Sequence, residues 1–203
     1  MTAQLETEVR ERALPPEPGN AHGARTGLTL FSPIRPQWLW LTRFSLFVGK
    51  WIPFVSDHIL QFNFIHFVRW AIVREMPYNG PPQKRDRLNY GYLYFETNFD
   101  GPWRNYIDSF AYCIPRDIRF LWGRGFAFPG PPPAEPLKQW IADNSMGGGT
   151  YYVAYPEASV RMVLSAVVVR DAFEALRARS ASLAPEQFKV EYERFLSSVQ
   201  EHL

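Results

Sequence analysis

Residues 62–73 read Phe-Asn-Phe-Ile-His-Phe-Val-Arg-Trp-Ala-Ile-Val. The β-branched and aromatic content of this run predicts a strand. A period of two places Phe62, Phe64, His66, Val68, Trp70 and Ile72 on one face and Asn63, Ile65, Phe67, Arg69, Ala71 and Val73 on the other. Both faces are mostly apolar, which predicts a central position in a sheet. The proline- and glycine-punctuated stretch 76–87 then reads as a connecting loop, and Tyr90–Phe99 as a second strand.

Working towards the C-terminus, Asp100-Gly101-Pro102 is a turn and helix-start signal with Asp100 as a candidate cap. Trp103, Ile107 and Phe110 recur at helical spacing up to about Cys113. Pro115 ends or restarts that helix before Gly123, and residues 125–136 hold too much proline and glycine for regular structure. A short helix over 137–143, a strand over Thr150–Tyr155 and a helix from Pro156 follow. That last helix has an apolar face of Val160, Val163, Leu164, Val167 and Val168. Phe188, Tyr192, Phe195 and Val199 mark an amphipathic terminal helix. This order predicts an α+β fold: a ferredoxin-like antiparallel sheet with helices packed on one face. The expected organisation is a disordered tail over 1–27, an apolar amphipathic helical segment over 28–60, the α+β domain over 61–178 and a C-terminal amphipathic helix over 179–203.

The segment upstream of the sheet is the most unusual. Pro36 suits a first helical turn and Pro53 a stop, giving a helix over about 37–51. Roughly 15 residues at about 1.5 Å each do not cross a hydrocarbon core of about 30 Å. Arg43 and Lys50, seven residues apart, share one side, while Trp38, Trp40, Leu41, Phe44, Val48, Trp51 and Ile52 spread over the rest. Between Phe31 and Phe54 the charges are Arg35, Arg43 and Lys50, all positive. Such a helix can lie in a membrane interface with its cations reaching head groups. It can equally pack on its own sheet or on a second copy. The candidate contact residues are Trp38, Trp40, Arg43, Lys50 and Trp51.

Composition narrows the function class. Lys and Arg number 22 and Asp and Glu 20, a net charge of +2, which does not carry the basic excess of a nucleic-acid binder. The single cysteine, Cys113, excludes a disulfide framework and Cys-pair metal sites within one chain. Residues 1–27 contain Glu6, Glu8, Glu11 and Glu17 and no apolar run of the secretory kind, so a cytoplasmic chain is expected. The 33 aromatic residues are unevenly spread: none precedes Phe31 and four follow Tyr155. Trp and Tyr suit surfaces with one apolar and one wet side, which keeps interfaces and membranes in play.

Phe64–Trp70, Leu93–Gly101 and Tyr151–Pro156 resemble segments of an uncharacterised bacterial hypothetical-protein family, a likeness that covers about residues 28–176 and implies a shared fold without an activity. More distantly the layout is similar to the dimeric α+β barrel superfamily, which includes small monooxygenases, chlorite dismutase-like proteins and dye-decolourising peroxidases. The peroxidases carry Gly-x-x-Asp-Gly; Thr97-Asn98-Phe99-Asp100-Gly101 matches its last two positions alone, and no histidine follows before His202. The resemblance therefore implies fold kinship and not haem peroxidase activity.

Of the four histidines, His66 is a candidate general base or haem ligand, with a hydrogen-bonded structural role as the competing reading. His58 stands eight residues before it without a third ligand at metal spacing, so no metal is expected. Glu96 shares a strand face with Tyr92, Tyr94 and Asn98 and could transfer protons, or pair with Arg69 or Arg104. Gly147-Gly148-Gly149 lacks the features of a phosphate loop, and Pro131-Pro132-Pro133 reads as a polyproline ligand or a loop docked on its own domain. The leading expectation is an accessory or binding protein without cofactor, held at the inner membrane surface or on a protein partner by the Trp-rich helix. The alternative is a monooxygenase-like or haem-related oxidoreductase using His66 and Glu96 on an apolar substrate. A homodimer built on the Trp-rich helix is a third reading, and no nucleic-acid partner is expected.

Overall fold

A computed structural model describes residues 18–49, 62–147 and 149–203. The chain divides into two compact units, Met1–Pro156 and Glu157–Leu203. In the first unit, β1 (Asn20–His22), β2 (Arg25–Ile34), α1 (Leu39–Gly49, entered through a 3-10 turn at Pro36–Trp38), β3 (Ile65–Glu75) and β4 (Arg87–Asp100) precede three helices. These are α2 (Trp103–Cys113), α3 (Pro115–Trp122) and α4 (Ala134–Asn144). The second unit is a helical hairpin of α5 (Val160–Ser180) and α6 (Pro185–Val199), closed by a 3-10 turn at Gln200–His202. The sequence boundary at 178 thus moves to Pro156.

The protein is α+β, with a four-stranded antiparallel sheet in the order β1-β2-β4-β3. Alternation sets its core face: Leu28, Leu30, Ser32 and Ile34 on β2, and Leu93, Phe95, Thr97 and Phe99 on β4, are all buried. Helix α2 answers with Trp103, Tyr106, Ile107, Phe110 and Ala111, the i, i+3, i+4, i+7, i+8 stripe of a core-facing helix. Ile118 and Trp122 of α3 and Leu137, Trp140 and Ile141 of α4 complete the layer. Phe99 and Tyr106 stack at 3.9 Å between centroids, and Phe95 meets Trp122 edge-on at 5.0 Å.

Several sequence expectations change here. Arg25–Ile34 is a strand with Arg25 and Thr26 buried, not the end of a tail and the start of a helical segment; residues 1–17 lie outside the described part. The strand expected over 62–73 is β3, Ile65–Glu75, and it lies at the sheet edge rather than in its centre, because β4 takes the place between β2 and β3. Its apolar outer positions belong to the half-exposed second face of the sheet, and irregularities at Ile65/Phe67 and Val73/Glu75 interrupt its ladder at both ends.

Thr150–Tyr155 does not form a strand. The side of β2 where another strand would pair is already filled by β1, by Ser145 bridging Leu30 and by Gly125 bridging Ile34. Met146 N–H donates to Thr29 O at 2.9 Å and Phe126 N–H to Pro33 O at 3.0 Å. Pro33, which has no N–H to give, sits where its carbonyl alone is needed. The proline-rich loop is docked on its own unit: Pro131 is fully buried and its carbonyl accepts from Arg119 Nε at 3.0 Å. Trp140 Nε1 donates to Phe126 O at 2.9 Å.

One buried phenol and one held ammonium contribute to the response to alkali. Burial pushes the Tyr106 phenol far above its ordinary value, although it donates to Thr97 Oγ1 at 3.1 Å. Lys138 is raised by Asp108 and Glu135, whose carboxylates lie 2.7 and 2.8 Å from its Nζ. Both groups hold protons in the folded state that the unfolded chain releases near pH 10, so their contribution is complete below that pH and is lost above it. The urea midpoint is expected to be flat from neutral pH to about pH 9 and to fall above about pH 10, at up to about 1.4 kcal/mol per pH unit per group. The fall should be shallower in Tyr106→Phe. An alkaline limb unchanged by that substitution would show the phenol is not the group responsible.

Candidate functional site

Helix α1 lies on the first unit by one side. Leu39 sits against Gly91, where a Cβ on the glycine would come within 2.5 Å of the leucine Cδ1. Leu39 and Leu46 pack on the core, and Thr42 is buried, donating from Oγ1 to Trp38 O at 3.0 Å. At about 100° per residue the opposite side is led by Trp40, Phe44 and Phe47, and these rings are 67%, 58% and 65% exposed. Trp38 is also exposed, in the 3-10 turn. Arg43 flanks the aromatic stripe and Arg35 precedes the turn, both exposed, and α1 contains no acidic residue.

Of the five contact residues read from sequence, Trp38, Trp40 and Arg43 are therefore on the surface, while Lys50 and Trp51 lie outside the described residues. Phe44 and Phe47, which the sequence reading did not name among the contact candidates, share the exposed side. Their signal was spacing: they stand four and seven residues after Trp40, on the same helical face. Among the described residues no helix is long and apolar enough to cross a membrane.

His66 and Glu96 engage different partners. His66 falls at the irregular step between Ile65 and Phe67, and its Nε2 lies 2.7 Å from Asp100 Oδ1. The same carboxylate oxygen accepts from Arg25 Nη1. Arg25 is 3% exposed and its Nη2 has no hydrogen-bond partner among the described residues. Asp100 is thus the hub of an Arg25–Asp100–His66 cluster and not a helix cap; the N-cap of α2 is Pro102.

Glu96 lies on the other, half-exposed sheet face, accepting from Tyr94 Oη at 2.7 Å and opposite Arg69 in the β3–β4 register. The Tyr94 phenol is raised, first by burial and then by its bond to Glu96. Phe31 packs on Tyr94 at 5.1 Å and Arg69 lies over the Tyr94 ring at 5.9 Å. These contacts give Glu96 a hydrogen-bonded place on an aromatic face, with Arg69 across the ladder.

An apolar cavity of about 40 Å³ lies between the sheet and α2–α4, bounded by Leu30, Trp70, Phe95, Phe110, Ile118 and Trp122 among others. It has room for a few heavy atoms, whereas ligand pockets usually enclose about 300 Å³ or more. A haem does not fit in it. The buried indole N–H groups of Trp70, Trp103 and Trp122 have no acceptor among the described residues. No group of three or more His, Cys, Asp or Glu side chains able to hold a metal occurs among those residues, and Cys113 is exposed at the end of α2. No family model, curated protein or solved structure matches the chain.

Proposed function

We propose that this chain is an accessory binding protein that docks on an anionic membrane surface through the outward side of α1. The observation that carries this reading is the Trp40–Phe44–Phe47 stripe: three large rings on consecutive turns, each more than half exposed, on a helix whose other side is anchored to the core. Aromatic rings favour the membrane–water boundary, and Arg35 and Arg43 supply the only charges between Phe31 and Phe47. Each cation near an anionic surface contributes about 1 kcal/mol. The α+β unit would hold the helix flat and present the rest of the chain to a partner.

The ferredoxin-like reading belongs with this proposal. Strands β2 and β3 are parallel to each other with β4 antiparallel between them, and α1 lies in the connection from β2 to β3. That split β-α-β arrangement supports the kinship, and the segments lining the outer edge of β2 occupy the place of a fourth strand. The oxidoreductase alternative draws less support, because the enclosed apolar space holds a few atoms and His66 is bound to Asp100.

Sedimentation of the full chain with vesicles tests the docking. Binding is expected with phosphatidylcholine vesicles containing phosphatidylglycerol, weaker with phosphatidylcholine alone, and reduced by added salt. Arg35→Glu/Arg43→Glu should weaken it at least tenfold, since two attractive charges become two repulsive ones. Absence of the chain from the pellet with every vesicle composition would refute the reading.

A further inference from the structure

Where β2 ends, the segment that follows α3 runs beside it. Ile34 and Gly125 form an isolated antiparallel bridge, held by Phe126 N–H to Pro33 O at 3.0 Å and by Arg35 N–H to Arg124 O at 3.2 Å. Arg35 and Arg124 are therefore direct cross-strand neighbours, a relation that sets Cβ atoms about 5 Å apart and in which like charges destabilise the pairing. Among the described residues no carboxylate lies within ion-pair distance of either arginine.

The two cations differ in setting. Arg124 is half-buried, and burial draws its guanidinium below the ordinary value with no acid to raise it. Its Nη1 donates to Phe120 O at 3.2 Å, and the guanidinium lies over the Phe120 ring at 5.3 Å. These contacts hold one edge of the fork and satisfy none of its charge. Arg35 is exposed.

We propose that Arg35 and Arg124 form a clamp for the phosphate of a lipid phosphomonoester, the headgroup of phosphatidic acid. Charge favours this class: a phosphomonoester carries about −1.5 to −2 at neutral pH and three acceptor oxygens, which match two guanidinium forks, whereas a phosphodiester carries a single charge. Position favours a lipid as its source. Trp38, whose N–H donates to Arg35 O at 2.9 Å, is exposed, as are Phe120, Phe126 and Tyr90, and the last two meet edge-on at 5.0 Å. Exposed rings beside cations suit the level of the lipid phosphates. The lipid source rests on the docking reading above, because Trp38 leads directly into α1; the facing of the two arginines does not.

Co-sedimentation of the full chain with phosphatidylcholine vesicles containing phosphatidic acid or phosphatidylglycerol, adjusted to equal surface charge, tests the clamp. The wild type is expected to bind the phosphatidic acid vesicles at least about fivefold more tightly. Arg124→Gln, which keeps a donor for Phe120 O and removes the like-charge pair, should bring the two lipids within about twofold with unchanged circular dichroism. Arg35→Gln, at an exposed position, should cause the same loss of preference without touching a half-buried residue. Equal binding of the two lipids by the wild type would overturn the clamp and leave membrane docking standing, and so would a preference that survives both substitutions. Glycerol 3-phosphate in vesicle-free buffer separates the two readings. Sedimentation with neither vesicle, together with a saturable shift of the Arg124 Nε–H resonance by glycerol 3-phosphate, would assign the pair to a soluble phosphate and overturn the lipid source. Neither sedimentation nor a shift would overturn clamp and docking together.

Discussion

Replacing Trp40, Phe44 and Phe47 together by glutamine is expected to abolish sedimentation with anionic vesicles while leaving the fold intact. Each ring exposes roughly 100 Å² of apolar surface, worth up to about 2.5 kcal/mol at about 25 cal/mol per Å². A single replacement should therefore weaken vesicle binding by roughly tenfold or more, and all three together should take it below detection. Surface substitutions usually change folding stability by no more than about 0.5 kcal/mol each, and glutamine is a good helix former. The urea midpoint should move little. A triple variant that still pellets with the lipid would place the contact elsewhere, and one that unfolds would mean the stripe is part of the core.

A second large effect is expected at Asp100, on stability rather than binding. Asp100→Asn removes the charge facing a guanidinium that is 3% exposed and whose Nη2 has no partner among the described residues. Arg25 cannot shed its proton, so the variant carries an uncompensated buried charge, which costs about 3–5 kcal/mol. That is a large share of the about 5–15 kcal/mol by which domains are stable. Arg25→Met leaves the opposite problem in a milder place: Asp100 is 19% exposed and keeps His66 at 2.7 Å. Its cost should be nearer about 1–2 kcal/mol. The double variant should be more stable than Asp100→Asn alone. Urea titrations of the four proteins measure the coupling; Asp100→Asn costing less than Arg25→Met would mean that water or another acceptor reaches Arg25.

The helices of the first unit were legible because their core residues follow one local period. Trp103, Ile107 and Phe110 predicted α2 to its last residue, Cys113, and Pro115 and Gly123 bracket α3. The strands 62–73 and 90–99 were found as strands, since alternation and β-branching are also local. What escaped depends on contacts distant in sequence. Arg25 looked like part of a charged tail until Asp100, 75 residues later, supplied its partner. Thr150–Tyr155 has the composition of a strand but no open ladder beside β2.

For the site, the sequence named Trp38, Trp40 and Arg43, which the structure places exposed in the 3-10 turn and on α1. Which ring faced outwards depended on where the sheet took hold of it. Leu39 over Gly91 makes that choice, and it turns Phe44 and Phe47 to the surface with Trp40. His66 and Glu96 meet different partners for a related reason: a residue inserted in the ladder at His66 directs it to Asp100, while strand parity gives Glu96 to Tyr94.

The most direct measurement is the emission of Trp40 at the bilayer. Wild type and Trp40→Phe, which keeps an apolar ring at that position, are compared with phosphatidylglycerol-containing vesicles whose phosphatidylcholine carries brominated acyl chains. Their difference spectrum reports Trp40. Docking through α1 predicts that this difference shifts to the blue on adding plain vesicles and is quenched by the brominated ones. A difference spectrum that stays at its position in buffer and is untouched by bromine would contradict membrane docking through this helix.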